Sequence, residues 1–386
     1  MNQDNSITES PDMAFAMAEP AAQPSPESAT ESSSLIELVS DELVAMLPVG
    51  WNRLDAAIAM TVSDEAARVI VSDGQHAVPM PLSARAVELL RELRHSAAES
   101  EDGPWWRVLA SVSRSEPARI EYDYGSDPFP EQHLFPAEAY LADLQAYPRK
   151  RVPVWLAAYM GHANRQTRTP RVAAASGASI GAFGSRVETG LPPLPLMWAR
   201  WAAIAAGFVA ARSPLGPRVT TALGWFEGSS RSGCTLHLLS HGRAVLSGGL
   251  WNDPRLDAAY NDHVDLPQLY RGAPDWVADP VLNPRAANGL LSFCYWWDGA
   301  SWRCGESPAA TELHPALPGV WTSRSAVDAI TQLNVQVRED AATALVASAE
   351  AGTLTRSFTA PILGGAEADF DDAYYQLMLA GLVTPE

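Results

Sequence analysis

Residues 103–124 read GPWWRVLASVSRSEPARIEYDY, and this stretch decides the fold of the first part of the chain. Apolar side chains alternate on both sides of a turn-rich segment, Arg114-Ser-Glu-Pro117. Because period-two alternation is typical of strands, the stretch predicts an antiparallel hairpin. One face would carry Trp106, Val108, Ala110, Val112, Ile120, Tyr122 and Tyr124, and the other Trp105, Arg107, Arg119, Glu121 and Asp123. We expect the first face to lie in the core and the second to meet water or a partner.

The segments around the hairpin predict a small α+β domain. Ser34 and Glu37 fit a capping box, in which both side chains satisfy free backbone N–H groups at a helix start. Apolar spacing then predicts a helix that ends before Pro48, followed by two strands, a second amphipathic helix, the hairpin and further short helices. The strands are expected over 51–62 and 65–72, and the later helices over 82–97, 136–147 and 152–160. The first domain, residues 34–160, is therefore predicted as an α-β-β-α-β-β-α unit with a four-stranded antiparallel sheet.

The rest of the chain predicts one tail, one linker and a second domain. Residues 1–33 are acidic and rich in Ser, Pro and Ala, which predicts a disordered acidic tail. Residues 161–191 show no periodicity and predict a linker. Residues 192–386 mix strand and helix patterns and predict a second α+β domain, which gives two domains in all. Helices are expected over 197–212, 325–351 and 369–380, and strands over 219–226, 234–240, 244–250, 290–297 and 301–304.

The last predicted hairpin, FCYWWDGASWR over residues 293–303, allows two registers. A three-residue turn, Asp298-Gly-Ala300, would place Cys294 opposite Cys304 and Trp296 opposite Trp302. A two-residue turn would shift the register by one position and separate the cysteines. Core packing of the aromatic rings is expected in either case.

Charge and composition narrow the classes of partner. The chain has 27 basic and 45 acidic residues and a formal net charge of -18. Nucleic acid and anionic membranes are recognised through cationic side chains, so neither is expected as a direct partner. A basic protein partner is compatible with this charge, although acidity by itself also keeps a protein soluble.

Residue usage and the N-terminus predict a cytoplasmic bacterial protein. A single lysine accompanies 26 arginines and abundant alanine, which indicates a GC-rich genome such as that of an actinobacterium. The N-terminus shows no secretory signal, and the longest apolar run, residues 201–211, is too short to span a bilayer. We therefore expect reduced cysteines.

The first domain resembles the YezG-like family of bacterial immunity proteins. The residues that carry the resemblance are LVAMLPVGW at 43–51, LLRELR at 89–94, Pro104-Trp105-Trp106 and IEYDY at 120–124. The segment YLADLQAYPRKRVPVWL at 140–156 looks like the tail of actinobacterial members. The resemblance implies an antitoxin that binds and blocks a cognate toxin. Such toxins are often exported by type VII secretion and act on NAD or nucleic acid.

The chain departs from that family in length. Typical members resemble the first domain alone, whereas this chain adds the acidic extension and a second domain. Either addition could carry the surface that binds the partner.

Five residues of the hairpin region are candidates for contact with the toxin: Trp105, Arg107, Glu121, Asp123 and Asp127. Trp and Arg dominate binding hot spots, and carboxylates could pair with arginines that line a toxin cleft. The alternative for Trp105 is burial under the first helix or the following loop. The alternative for the carboxylates is a solvated acidic edge.

Other chemistries find weaker support in the sequence. His237 and His241 lie on a predicted strand, where four-residue spacing separates the rings by about 13 Å, so no metal site is expected. Gly177, Gly181 and Gly184 have the wrong spacing for a dinucleotide-binding loop. No cofactor is expected, and we expect no enzymatic activity. A chaperone for a type VII secretion substrate and a hydrolase using Cys and His are the two alternative functions.

Overall fold

A computed structural model of the chain describes residues 26–98, 102–115, 117–169, 171–173, 184–333, 337–364 and 369–385. The described residues form a mixed α+β structure with two antiparallel sheets, of five and seven strands. They divide into two compact units. The first contains the residues up to Tyr124 together with 131–134 and 142–149, and the second contains 125–130, 135–141 and the chain from Lys150 onward.

The first unit is built on a sheet of strand order β3-β2-β1-β4-β5. The sequence predicted four strands, and the structure corrects this to five. The missed strand, β3, is four residues long and contains Pro79, so it is too short to show a period and fits only at an edge. The elements are α1 (Pro26–Ala45), β1 (Arg53–Met60), β2 (Glu65–Ser72), β3 (Ala77–Met80), α2 (Ala84–Ser96), β4 (Arg107–Ser113) and β5 (Arg119–Asp123).

Helices α1 and α2 pack on one face of this sheet. Leu43 of α1 and Leu90 of α2 join alternate strand residues such as Leu54, Ile58 and Val108 in one buried cluster. Successive side chains of a strand point to opposite faces, so the period-two pattern supplies this apolar face directly. The strand residues that alternate with these buried ones lie on the other face of the sheet, which is turned away from the helices.

Helix α1 starts earlier than the capping box predicted. It begins at Pro26, so Ser34 lies inside the helix and residues 26–33 are helical instead of disordered. Nothing in Glu27–Ser33 breaks a helix, because the segment holds no Pro or Gly after Pro26. The remainder of the predicted tail, residues 1–25, lies outside the described residues.

The described residues of the predicted linker belong to the second unit. The two short helices expected before it are present as α3 (Ala137–Ala146) and α4 (Val154–Gly161). Within the linker range, Arg186–Glu188 forms strand β6 and pairs with the second sheet. A three-residue strand in a Gly- and Arg-rich context has no readable period, which is why the composition suggested a linker.

The second unit has a seven-stranded sheet of order β6-β12-β11-β10-β9-β8-β7. The other predicted strands are present with shifted ends, but the single strand predicted over 219–226 is wrong, because these residues belong to two short paired strands in which Val219 lies opposite Gly224. The helices at Pro254–Asn261 and Arg356–Leu363 were missed. The elements are α5 (Leu194–Ala210), β7 (Arg218–Val219), β8 (Leu223–Glu227), β9 (Gly233–Leu239), β10 (Arg243–Gly249), α6 (Pro254–Asn261), β11 (Phe293–Trp297), β12 (Trp302–Cys304), α7 (Ser323–Leu333), α8 (Glu339–Ala351), α9 (Arg356–Leu363) and α10 (Phe370–Leu379).

Helix α5 is the centre of the second unit's core. Its residues from Trp201 to Ala206 are all fully buried, as expected for a helix that is apolar on every side. Helices α7, α8 and α10 pack around it. Its one buried cation, Arg200, is satisfied, because Nε donates to Glu350 Oε1 at 2.6 Å and Nη1 to the Trp321 carbonyl at 2.9 Å.

The single long helix predicted over 325–351 is wrong. The structure has two helices, α7 and α8, and Arg338 has extended backbone angles where α8 begins. Residues 334–336 between them lie outside the described residues. The predicted end at Gly352 is confirmed, since Gly352 takes the left-handed conformation that closes a helix.

The β11–β12 hairpin adopts the two-residue turn. Tyr295 lies opposite Cys304 and Trp297 opposite Trp302, with the Asp298 N–H donating to the Ser301 carbonyl. The cysteines are therefore not directly opposed, and all three in the chain are free thiols.

No helix in the described part of the chain is both long and apolar enough to cross a membrane.

Candidate partner-binding site

The predicted hairpin of residues 103–124 is present as β4 and β5. Val108 and Val112 are buried beneath the helices, as the alternation predicted. Arg107, Glu121 and Asp123 have the opposite parity and lie on the face turned away from α1 and α2. We call this surface of β4 and β5 the hairpin face.

The chain leaves regular strand geometry just before β4, and this changes the placement of the two tryptophans. Arg107 lies opposite Asp123 in the register, and the Trp106 N–H also donates to the Asp123 carbonyl at 3.2 Å. Trp106 lies outside β4, so the alternation of the strand does not extend to the two tryptophans.

Trp105 is consequently a core residue, which corrects its predicted position on the outer face. Its side chain is 1% exposed and belongs to the buried cluster of the first unit. The ring lies 6.1 Å from the ring of Tyr122 in a stacked arrangement. The alternative interpretation of Trp105, burial in the core, is therefore confirmed. The side chain offers no surface to a partner in this conformation.

The charged residues of the hairpin face form two ion pairs. Arg107 donates from Nε and Nη2 to Asp123 Oδ2 at 2.8 and 2.7 Å, and both side chains are less than one-fifth exposed. Arg119 pairs with Glu121, whose side chain is 32% exposed. The hairpin face holds two cations and two anions, so the chain's acidity is not concentrated there.

Asp127 belongs to the second unit, apart from the other four candidates. Its Oδ1 accepts a hydrogen bond from Arg231 Nε at 2.8 Å, and both side chains are about half exposed. An exposed pair of this kind contributes little to stability, and its carboxylate stays accessible to solvent.

A buried carboxylate that the sequence analysis did not single out, Asp143 of α3, anchors the start of the hairpin. The side chain is fully buried, and its oxygens accept from Arg94 Nη2 at 2.7 Å, Trp106 Nε1 at 2.9 Å and the Val62 N–H at 3.0 Å. Its sequence signal was present, because Asp143 lies at helical spacing between Tyr140 and Tyr147. An acid between two aromatic residues on one side of a helix indicates a buried, paired carboxylate.

Two arginines complete this network and fix the segment before β4. Arg149 stacks on Trp106, with its guanidinium carbon 3.5 Å from the ring centroid, and donates to the carbonyls of Asp102 and Pro104. Burial lowers the pKa of Arg149 to about 10 while Asp143 acts in the opposite direction, so the side chain stays charged at neutral pH. Arg94 donates from Nε to the Trp105 carbonyl at 2.9 Å. Residues 102–106 are therefore held by side chains from α2, α3 and the segment after α3.

His133 is a second buried polar group of the first unit. It lies in a single helical turn, is 3% exposed, and neither ring nitrogen has a hydrogen-bond partner among the described residues. Burial, with smaller effects from the charges of Arg107 and Arg68, lowers the pKa of His133 to about 4. The imidazole is therefore neutral at physiological pH.

Cys234 and His237 do not share a face of β9. His237 lies on β9 and His241 follows it with a left-handed backbone, and burial lowers the pKa of His237. Cys234 and His237 are three residues apart on a strand and so point to opposite faces, and burial raises the pKa of the Cys234 thiol. Within the described ranges, no cluster of three or more His, Cys, Asp or Glu side chains could hold a metal ion. Gly177 and Gly181 lie outside these ranges.

No protein-family model matches this chain. No curated protein matches its sequence either.

Proposed function

We propose that the protein is an immunity protein that binds a cognate secreted toxin and occludes the toxin's active-site cleft. The partner we propose is a basic protein that acts on NAD or nucleic acid, and the complex would form in the cytoplasm. The sequence resemblance to YezG-like proteins motivates the proposal. The observation that carries it is the hairpin face, a charged surface of β4 and β5 that is turned away from the two packed helices.

One carboxylate of the hairpin face, Glu121, could recognise an arginine of the toxin's cleft. Glu121 uses Oε1 to bind Arg119, and a carboxylate has acceptor capacity beyond one such bond. A partner arginine could therefore bind Glu121 without displacing its internal pair. The formal net charge of -18 would raise the association rate with a basic partner, because long-range attraction steers the encounter.

The buried network around Asp143 supports the same proposal through pre-organisation. It holds the segment that leads into β4, so the hairpin would lose little conformational freedom on binding. Because little conformational entropy is then lost on binding, more of the free energy of the contacts contributes to the affinity.

The test uses the full chain and the toxin domain encoded beside its gene. The two proteins would be co-purified, and their affinity and the toxin's catalytic activity measured with and without the chain. We expect a stable complex with inhibition, and Glu121→Arg should weaken binding at least about tenfold because it places a cation against the basic cleft.

The matched control is Glu88→Arg. Glu88 is an exposed carboxylate of α2 that pairs with Arg85, and α2 packs on the opposite face of the sheet. Equal loss of affinity in the two variants would move the interface away from the hairpin face. Absence of any complex would reject the immunity function and leave the export chaperone as the alternative.

A further inference from the structure

The segment that follows α4 is part of the second unit, and one glutamine of this segment binds the backbone of Leu291. Gln166 is buried, and its Nε2 donates to the Leu291 carbonyl at 2.7 Å while its Oε1 accepts from the Leu291 N–H at 2.9 Å. This paired contact resembles one rung of a sheet. It fixes the positions of the two neighbouring arginines, Arg165 and Arg168.

Each of these arginines lies against a tyrosine ring. The guanidinium carbon of Arg165 is 5.1 Å from the ring centroid of Tyr260, and that of Arg168 is 5.1 Å from the ring centroid of Tyr270. Such contacts orient a guanidinium. Arg165 uses some of its five N–H donors within the chain, on the Gly161 carbonyl (Nη2, 3.3 Å) and on the Tyr260 side chain, which leaves others for a ligand. Burial raises the pKa of both phenols, so neither tyrosine supplies a negative charge.

Neither arginine forms an ion pair with a carboxylate in the ranges that the structure describes, although acidic residues outnumber basic ones in the chain. The nearby Glu306 is engaged elsewhere, since it binds Arg271 at 2.8 Å and accepts from the Gln268 N–H at 2.7 Å. Most other arginines described here have a carboxylate partner. Two pre-oriented cations without one indicate a place for an external anion.

The two arginines line one cavity of about 40 Å³. Its other lining residues are neutral: Gln166, Leu266, Pro267, Gln268, Leu269, Tyr270 and Leu291. The volume equals roughly that of three water molecules, well below the several hundred Å³ of a site for a larger ligand. The cavity is therefore scaled to one small charged group.

We propose that this cavity binds a single oxyanion group, a phosphate or a carboxylate, between Arg165 and Arg168. Guanidinium groups bind such groups through paired, charge-assisted N–H···O bonds, which are stronger than neutral hydrogen bonds. The site lies in the second unit and is independent of the hairpin face.

The test is a calorimetric titration of the full chain with inorganic phosphate at low ionic strength, repeated with acetate and with chloride. We expect saturable binding of phosphate, and at least about tenfold weaker binding in Arg165→Gln and in Arg168→Gln. Arg171→Gln is the matched control, because Arg171 is an exposed arginine of the same segment that does not line the cavity. Thermal midpoints of all variants would verify that they are folded, and the two cavity variants test the site independently of each other.

The titrations with phosphate and acetate distinguish a phosphate ligand from a carboxylate ligand. Binding of phosphate alone supports a phosphate ligand, whereas binding of phosphate and acetate supports a site that also accepts carboxylates. Equal binding of chloride, no binding of any oxyanion, or the same affinity in all three arginine variants would overturn the proposal.

Discussion

Replacement of Asp143 by Asn should destabilise the first unit more than any surface substitution. The change keeps the size of the side chain but removes its charge. Arg94 and Arg149, whose side chains are 5% and 2% exposed, would then be buried cations without a carboxylate. Asn has one oxygen and one NH2 group, so its donors would face either the Val62 N–H or the donors of Trp106 and Arg94.

The magnitude follows from the cost of an uncompensated buried charge. Removing one partner of a buried ion pair costs about 3–5 kcal/mol, a large share of the roughly 5–15 kcal/mol by which domains are stable. Asp127→Asn is the matched control, because it breaks an ion pair with Arg231 in which both side chains are half exposed. That change should cost no more than about 1 kcal/mol.

The assay is urea unfolding of the full chain, combined with hydrogen exchange read by mass spectrometry. Exchange is needed because a chain with two units need not unfold in one transition. Lost protection should map to β1, β4 and α2, which surround the network. The reasoning fails if Asp143→Asn and Asp127→Asn cost the same, or if the lost protection maps to α5 and its neighbours.

Three further predictions concern buried groups elsewhere. As pH falls from 6.5 to about 4, the unfolded chain binds a proton at His133 that the folded chain does not, so unfolding becomes easier. His133→Gln should remove this part of the pH dependence. The prediction is contradicted if the urea midpoint changes by the same amount between pH 7 and pH 5 in the variant and in the parent chain. Gly216→Ala places a Cβ 1.9 Å from the Phe208 ring at a φ of +101°, so it should lower the thermal midpoint more than Gly299→Ala, which has the same strain (φ +103°) but no atom within 4 Å; a larger effect of the latter would refute this. The three thiols should resist a thiol reagent until the protein unfolds, since all are buried, and rapid labelling of the native chain would show otherwise.

Sequence patterns predicted the elements whose evidence is local. The hairpin core face of Val108 and Val112, the helix α2 and the buried helix α5 were all expected from periodicity and are present. Each depends on side chains within one turn or one strand, so neighbouring residues carry the whole signal. The edge strand β3 was not predicted, because four residues are too few to show the two-residue alternation of a strand.

The candidate sites depended on contacts between distant residues. Periodicity placed Trp105 on the outer face, but β4 begins only at Arg107 and Trp105 lies in the core. Sequence pattern also left two registers open for the last hairpin, and the packing of Trp297 against Trp302 accompanies the one that forms.

The sequence by itself determined that the chain is acidic, mixed α+β and apolar on one side of its first hairpin. Only the tertiary structure decided that Asp143 meets Arg94 and Trp106, and that Arg165 and Arg168 each lie against a tyrosine ring. Periodicity records which face of an element is buried. It does not record which distant charge will lie opposite, because that partner is set only when the whole chain has packed and most buried polar groups find hydrogen bonds.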